Sequence, residues 1–161
     1  MIKYAKLTDE KTGTCQVGEG TNNEFYKSIG MVEMDVQQSD IDNKWYLTEL
    51  CPMKTDEQKA KEEQQRISIL SLTGADVERG IYKAKGMDFE DIIAEVETLK
   101  QVQGDSFNID IKALKIELKA NNFYRGNPYV DAVGTLLGFS KTQLDEFFET
   151  NDYTKLLEKD S

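Results

Sequence analysis

The chain contains no histidine among its 161 residues. That absence excludes a Ser-His-Asp triad, a Cys-His pair, an HExxH zinc helix and any imidazole ligand for zinc or haem. It also removes the commonest general base near neutral pH. Cysteine is nearly as scarce. Cys15 and Cys51 lie 36 residues apart, which is neither a CxxC pair nor a metal-ligand spacing, so both read as reduced core thiols. Positive charge is in deficit, with 20 Lys+Arg against 30 Asp+Glu and a net charge of -10. Residues 1–72 carry 9 basic and 13 acidic groups, and residues 73–161 carry 11 and 17. Neither half offers the basic surface that displaces counterions from a phosphate backbone, so no nucleic-acid partner is expected. Long apolar runs are missing as well. The longest, Ala132 to Phe139, is far shorter than the about 20 residues that cross a bilayer. The opening MIKYAKLTDE is charged where a signal peptide has its apolar region. No membrane association is expected, and the setting implied is cytoplasmic or virion-like.

What is present fits an α+β protein, one domain or two very small ones, with a core that needs neither metal nor disulfide. Up to Leu50 the pattern is strand-like with one helical interruption. Ile2, Tyr4 and Lys6 alternate with Lys3 and Ala5, the segment Asp9 to Gly13 supplies turn chemistry, and Cys15 and Val17 begin a second alternating run. Thr21-Asn22-Asn23 offers capping side chains to a short helix over Glu24–Ile29, which Gly30 ends. Met31 to Val36 alternates again, Asp42-Asn43 makes a turn, and Trp45 and Leu47 alternate with Tyr46 and Thr48. Residues 1–52 therefore read as a small ββαββ module closed by Pro52.

Residues 53–72 read as a polar connecting helix. Thr55-Asp56-Glu57 places acidic groups at its start, and Lys59 to Arg66 are strong helix formers that become core-packed only at Ile67 and Leu70. Residues 73–161 read as a helical bundle of about five to six short helices. Val77, Ile81 and Ala84 form one stripe ended by Gly86. Phe89, Ile92, Ile93, Val96 and Leu99 form the next, and Leu114 and Leu118 belong to a third that stops near Asn121-Asn122. Pro128 suits a helix N1 position after Asn127, and Ser140 with Gln143 forms a capping box ahead of Leu144, Phe147 and Phe148. A final turn holds Tyr153, Leu156 and Leu157. An offset of 52 residues superposes Gly74 on Gly126, Gly86 on Gly138, and the apolar positions around them. Two readings stand: a pseudo-repeat of one helix–glycine–helix arrangement, or convergent amphipathic patterning.

Candidate chemistry is thin. Asp40-Ile41-Asp42-Asn43-Lys44 opens like a calcium loop, but Trp45 and Cys51 stand where the glycine and the glutamate belong, so it reads as a turn. Gly18-Glu19-Gly20 lacks the lysine or third glycine of a phosphate loop. The pairs Asp88 with Asp91 and Asp145 with Glu149 read as first-turn acids. A helix–turn–helix over 77–99 would present Asp88, Glu90, Asp91, Glu95 and Glu97 to DNA, the wrong sign. No catalytic residue, cofactor site or metal site is assigned. The remaining interest lies in aromatic pairs: Phe25 and Tyr26, Trp45 and Tyr46, Phe123 and Tyr124 near Tyr129, and Phe147 and Phe148. In the first two pairs one ring should face inward and the other outward. Exposed rings rimmed by acids would suit a protein partner, and core packing is the competing account.

The stretch Gly18-Glu19-Gly20-Thr21-Asn22-Asn23-Glu24-Phe25-Tyr26-Lys27-Ser28-Ile29-Gly30-Met31, followed by Trp45-Tyr46-Leu47 and Pro52, resembles an N-terminal module of short proteins from Gram-positive bacteriophages and prophages, encoded near tail-fibre and baseplate genes. The resemblance covers about residues 1–66. The helical part, including Ala75 to Gly86, resembles phage proteins of unassigned role. The resemblance implies a non-enzymatic, tail-associated protein in the cytoplasm of the infected or lysogenic bacterium, or in the virion tail. Its partner would be a tail-fibre or baseplate protein. A tail-fibre assembly chaperone is the first expectation and a structural baseplate or fibre-attachment component the second. An acidic regulator or host-protein inhibitor is the third.

Overall fold

The computed structural model describes residues 1–158 and shows an α+β protein. It divides into two units, Met1–Ala60 and the chain from Lys61 onward. The division falls inside a helix, beyond Pro52.

The first unit runs β1 (Ile2–Asp9), β2 (Thr14–Val17), α1 (Asn23–Ser28), β3 (Val32–Gln38) and β4 (Trp45–Leu47). This is the ββαββ order that the alternation predicts. The strands close into a barrel in the order β1-β2-β4-β3, with every neighbouring pair antiparallel. The length of β1 makes closure possible, because Ala5 to Asp9 pair with β2 while Ile2 to Ala5 pair with β3. A closed sheet leaves no unpaired edge. Ala5, Cys15 and Val36 are buried at its centre, with Leu7, Met34, Trp45 and Leu47 packed around them. The small side chains fit the narrow interior of a four-stranded barrel. Asn22 caps α1 by accepting the Phe25 N–H, and Gly30, at φ +85°, turns the chain toward β3.

α2 (Asp56–Ser68) crosses the division. Thr55 and Gln58 exchange reciprocal hydrogen bonds at its start, of 2.9 and 3.1 Å. None of its residues is fully buried, so propensity and capping supply most of what holds its first turns helical, while Ile67 and Ser68 are half-buried at its end. The helix expected through residue 72 stops earlier. Residues Ser71–Thr73 form β5 instead, antiparallel to β6 (Asn122–Tyr124), with Leu72 opposite Phe123. A three-residue strand is too short to show alternation in a sequence, and its partner lies far along the chain.

The second unit continues with α3 (Gly74–Lys85), α4 (Phe89–Gln103), α5 (Ile111–Glu117), α6 (Pro128–Leu136) and α7 (Lys141–Thr150), then a 3-10 turn over Tyr153–Leu156. Its core centres on Ile92, Val96, Leu114 and Phe147. Positions 52 apart play the same local parts. Gly86 and Gly138 have φ of +71° and +80°. Asp88 and Ser140 each open a capping box, completed by Asp91 and Gln143. Ile92 and Leu144 are both buried, as are Val96 and Phe148. The order β5, α3, Gly86, α4 thus matches the order β6, α6, Gly138, α7, and β5 pairs with β6.

Candidate partner-binding surfaces

The nine aromatic candidates separate sharply by environment. Phe25 on α1 is 53% exposed and Tyr124 on β6 is 57% exposed. The other seven are buried or half-buried. Phe147 and Phe148 are buried edge to face, 6.0 Å between centroids, and Phe123 is buried against Phe89 at 5.8 Å. Tyr129 is half-buried against the same core. Trp45 points into the barrel, with the Lys3 ammonium 4.7 Å from its ring centroid. Tyr46 takes the opposite side of its strand, yet it too is buried, and its phenol donates to Asp42 Oδ2 at 2.6 Å. The expected division of that pair into an inner and an outer ring therefore does not leave an exposed ring.

Tyr26 is half-buried and stacks on Tyr4 at 6.4 Å, while its hydroxyl accepts the Gly20 N–H at 2.6 Å. A Cβ at Gly18 would stand 2.7 Å from the Tyr26 ring, and one at Gly20 would stand 2.8 Å from its hydroxyl. The Gly18-Glu19-Gly20 run is thus a close approach of backbone to a ring, with no phosphate cradle about it. Phe25 lies edge-on to Tyr26 at 5.8 Å and is the exposed end of this cluster.

The polar candidates are committed to local structure. Asp40 Oδ1 accepts the Lys54 N–H at 2.8 Å, and Asp42 accepts both the Lys44 N–H and the Tyr46 phenol. The Tyr46 hydrogen bond, then the backbone one, hold the Asp42 carboxyl below the ordinary aspartate range, and the same contact raises the Tyr46 phenol. Asp88 and Asp91 spend their side chains on the capping box. Asp145 pairs with Arg125 and Glu149 with Arg66, so these two carboxylates serve different cations. Burial raises the thiol of Cys15. Burial followed by the charges of Asp40 and Asp42 raises that of Cys51, so both favour the protonated, weakly nucleophilic form. Among the described residues no group of three or more His, Cys, Asp or Glu could hold a metal ion, and no helix is long and apolar enough to cross a membrane.

Two features escape sequence reasoning. Arg125 is buried, its Nε 2.7 Å from Asp145 Oδ1 and its Nη1 2.9 Å from Asp131 Oδ1. Nothing in Tyr124-Arg125-Gly126 marks an interior cation, because its partners come from α6 and α7. The second is a groove between α4 and α5, lined by Phe89, Ile93 and Leu118 with Lys115, Lys119 and Glu90. Its one legible trace is the spacing of Lys115 and Lys119, four residues apart. A comparison of the chain with protein-family models, curated proteins and solved structures returns no match.

Proposed function

We propose that the chain is a non-enzymatic, bacteriophage tail-associated protein that assists tail-fibre assembly by binding a fibre or baseplate protein. It would act in the cytoplasm of the infected or lysogenic bacterium. The observation that carries this reading is the wording of residues 18–31 with Trp45-Tyr46-Leu47 and Pro52, which resembles the module of phage proteins encoded beside tail-fibre genes. The fold supports it in one respect. The glycines and Tyr26 of that wording form a packed device of the barrel wall, with Phe25 presented to solvent.

The deciding experiment is co-expression with the tail-fibre protein encoded in the same phage region, together with mass spectrometry of purified virions. A chaperone should keep the fibre protein soluble and be absent from mature particles. Stoichiometric presence in particles would replace it with the structural component. Failure to alter fibre solubility, combined with absence from particles, would sink both tail readings.

A further inference from the structure

α2 is a helix with little to lean on. Every residue from Thr55 to Arg66 is exposed, and an isolated helix of 13 residues is marginal in water even when built from strong formers. Its order has to be supplied at its ends. At the start, the Asp40 carboxylate accepts the Lys54 N–H at 2.8 Å and faces the Lys59 ammonium at 4.0 Å, and Thr55 exchanges hydrogen bonds with Gln58. At the finish, Ile67 and Ser68 are half-buried, and the Gly126 N–H donates to the Ser68 carbonyl at 3.0 Å. The stretch between, Ala60 to Gln65, is covered by neither anchor.

Arg66 closes that stretch. Its Nη1 donates to both carboxylate oxygens of Glu149 on α7, each at 2.9 Å. Its Nε and Nη2 donate to Glu63, one turn earlier in α2, at 2.9 and 2.7 Å. An exposed ion pair is usually worth little, because ordering two long side chains offsets a screened attraction. Here four hydrogen bonds converge on one planar guanidinium between two carboxylates, the network geometry in which such contacts do count. The two arms differ in kind. Glu63 belongs to α2, so its arm is made wherever α2 is helical. Glu149 belongs to α7, so its arm is made only while the end of α2 is ordered against the second unit.

We propose that Arg66 is a salt-sensitive latch: its bonds to Glu149 carry the order of the second unit into the unsupported middle of α2, and their release turns Ala60 to Gln65 into a flexible tether. The device goes beyond the tail reading and does not depend on it. Ionic strength acts on it selectively, because at about 1 M salt charges are screened beyond about 3 Å, whereas the half-buried end of α2 and its backbone bond to Gly126 are not. The test is hydrogen–deuterium exchange mass spectrometry of the full chain, with the amides of α4 as internal reference. In the wild type, raising sodium chloride from about 0.05 M to about 1 M should speed exchange across residues 60–66 about threefold relative to α4. Glu149→Gln should produce the same acceleration at low salt and leave little further response to salt. Glu63→Gln, which removes only the arm inside α2, should do less. Trypsin cleavage after Lys61 should rise in step with exchange. An α2 unchanged by salt or by Glu149→Gln overturns the proposal. Equal acceleration in Glu63→Gln also overturns it, because the pairs within α2 would then be the source of its order. So does acceleration shared by α4, which marks loosening of the whole second unit.

Discussion

Arg125 holds a guanidinium almost out of water between the carboxylates of Asp145 and Asp131, with the Lys141 carbonyl at 3.5 Å. Arg125→Ala removes a buried cation and strands two acids that are only partly hydrated. The expected loss is about 2–3 kcal/mol, below that of a fully buried pair because both acids keep some water. A urea titration would show it as a lower midpoint, and Arg125→Met, which keeps the apolar stem, should lose less. Gly80 sets two effects against each other. Alanine there would gain up to about 1 kcal/mol of helix propensity, but its Cβ would collide with the Phe147 ring. Overpacking against a buried ring costs about 1–3 kcal/mol, so Gly80→Ala should be destabilised overall. Gly134→Ala meets only a terminal methyl of Leu144, at 2.5 Å, and should lose less. Neither Arg125 nor Gly80 was legible in the sequence, because each depends on a group brought from another helix.

The elements of the second unit begin and end by rules written into neighbouring residues. Asp88 with Asp91, Asn127 with Pro128 and Ser140 with Gln143 all start helices as their spacing predicts. Gly86 and Gly138 occupy the left-handed region, and nothing lies within 4 Å of a Cβ built on either. Alanine at these positions would therefore report conformational cost alone. Gly86→Ala and Gly138→Ala should each lower stability by about 1 kcal/mol in thermal or urea unfolding, with no change in the core. The same local rules failed at β5 and β6. Ser71–Thr73 continued a helical-looking stretch, and only the pairing of Leu72 with Phe123 makes it a strand.

The described residues form two buried clusters, one in each unit, and the single tryptophan, Trp45, packs on the smaller one. Tryptophan fluorescence therefore reports the barrel, and ellipticity near the helical band reports mainly the second unit. Their urea transitions should not coincide. The barrel should also carry its own pH dependence. The Asp35 carboxyl is lowered by hydrogen bonds from the N-terminal ammonium and Thr48, and Asp42 by those from Tyr46 and Lys44. Carboxylates with depressed folded-state pKa values stabilise above the ordinary aspartate range, and this stability is lost as pH falls through the folded values. Tyr46, raised by Asp42, contributes below the ordinary tyrosine range and loses that contribution as pH rises through its folded value. Tyr46→Phe should move the acid transition of Trp45 fluorescence to higher pH and lessen the alkaline dependence, to which the raised thiols of Cys15 and Cys51 still contribute. The absence of histidine, the acidic balance, the strand alternation and the helix caps were all determined by the sequence itself, since composition is additive and caps act within one helical turn. Which aromatic rings stay in water, how β5 finds β6, how Arg125 is paired and how α4 and α5 enclose a groove of mixed sign were decided by the tertiary structure. Burial and pairing join residues distant in the chain, and no local pattern records which of them will meet.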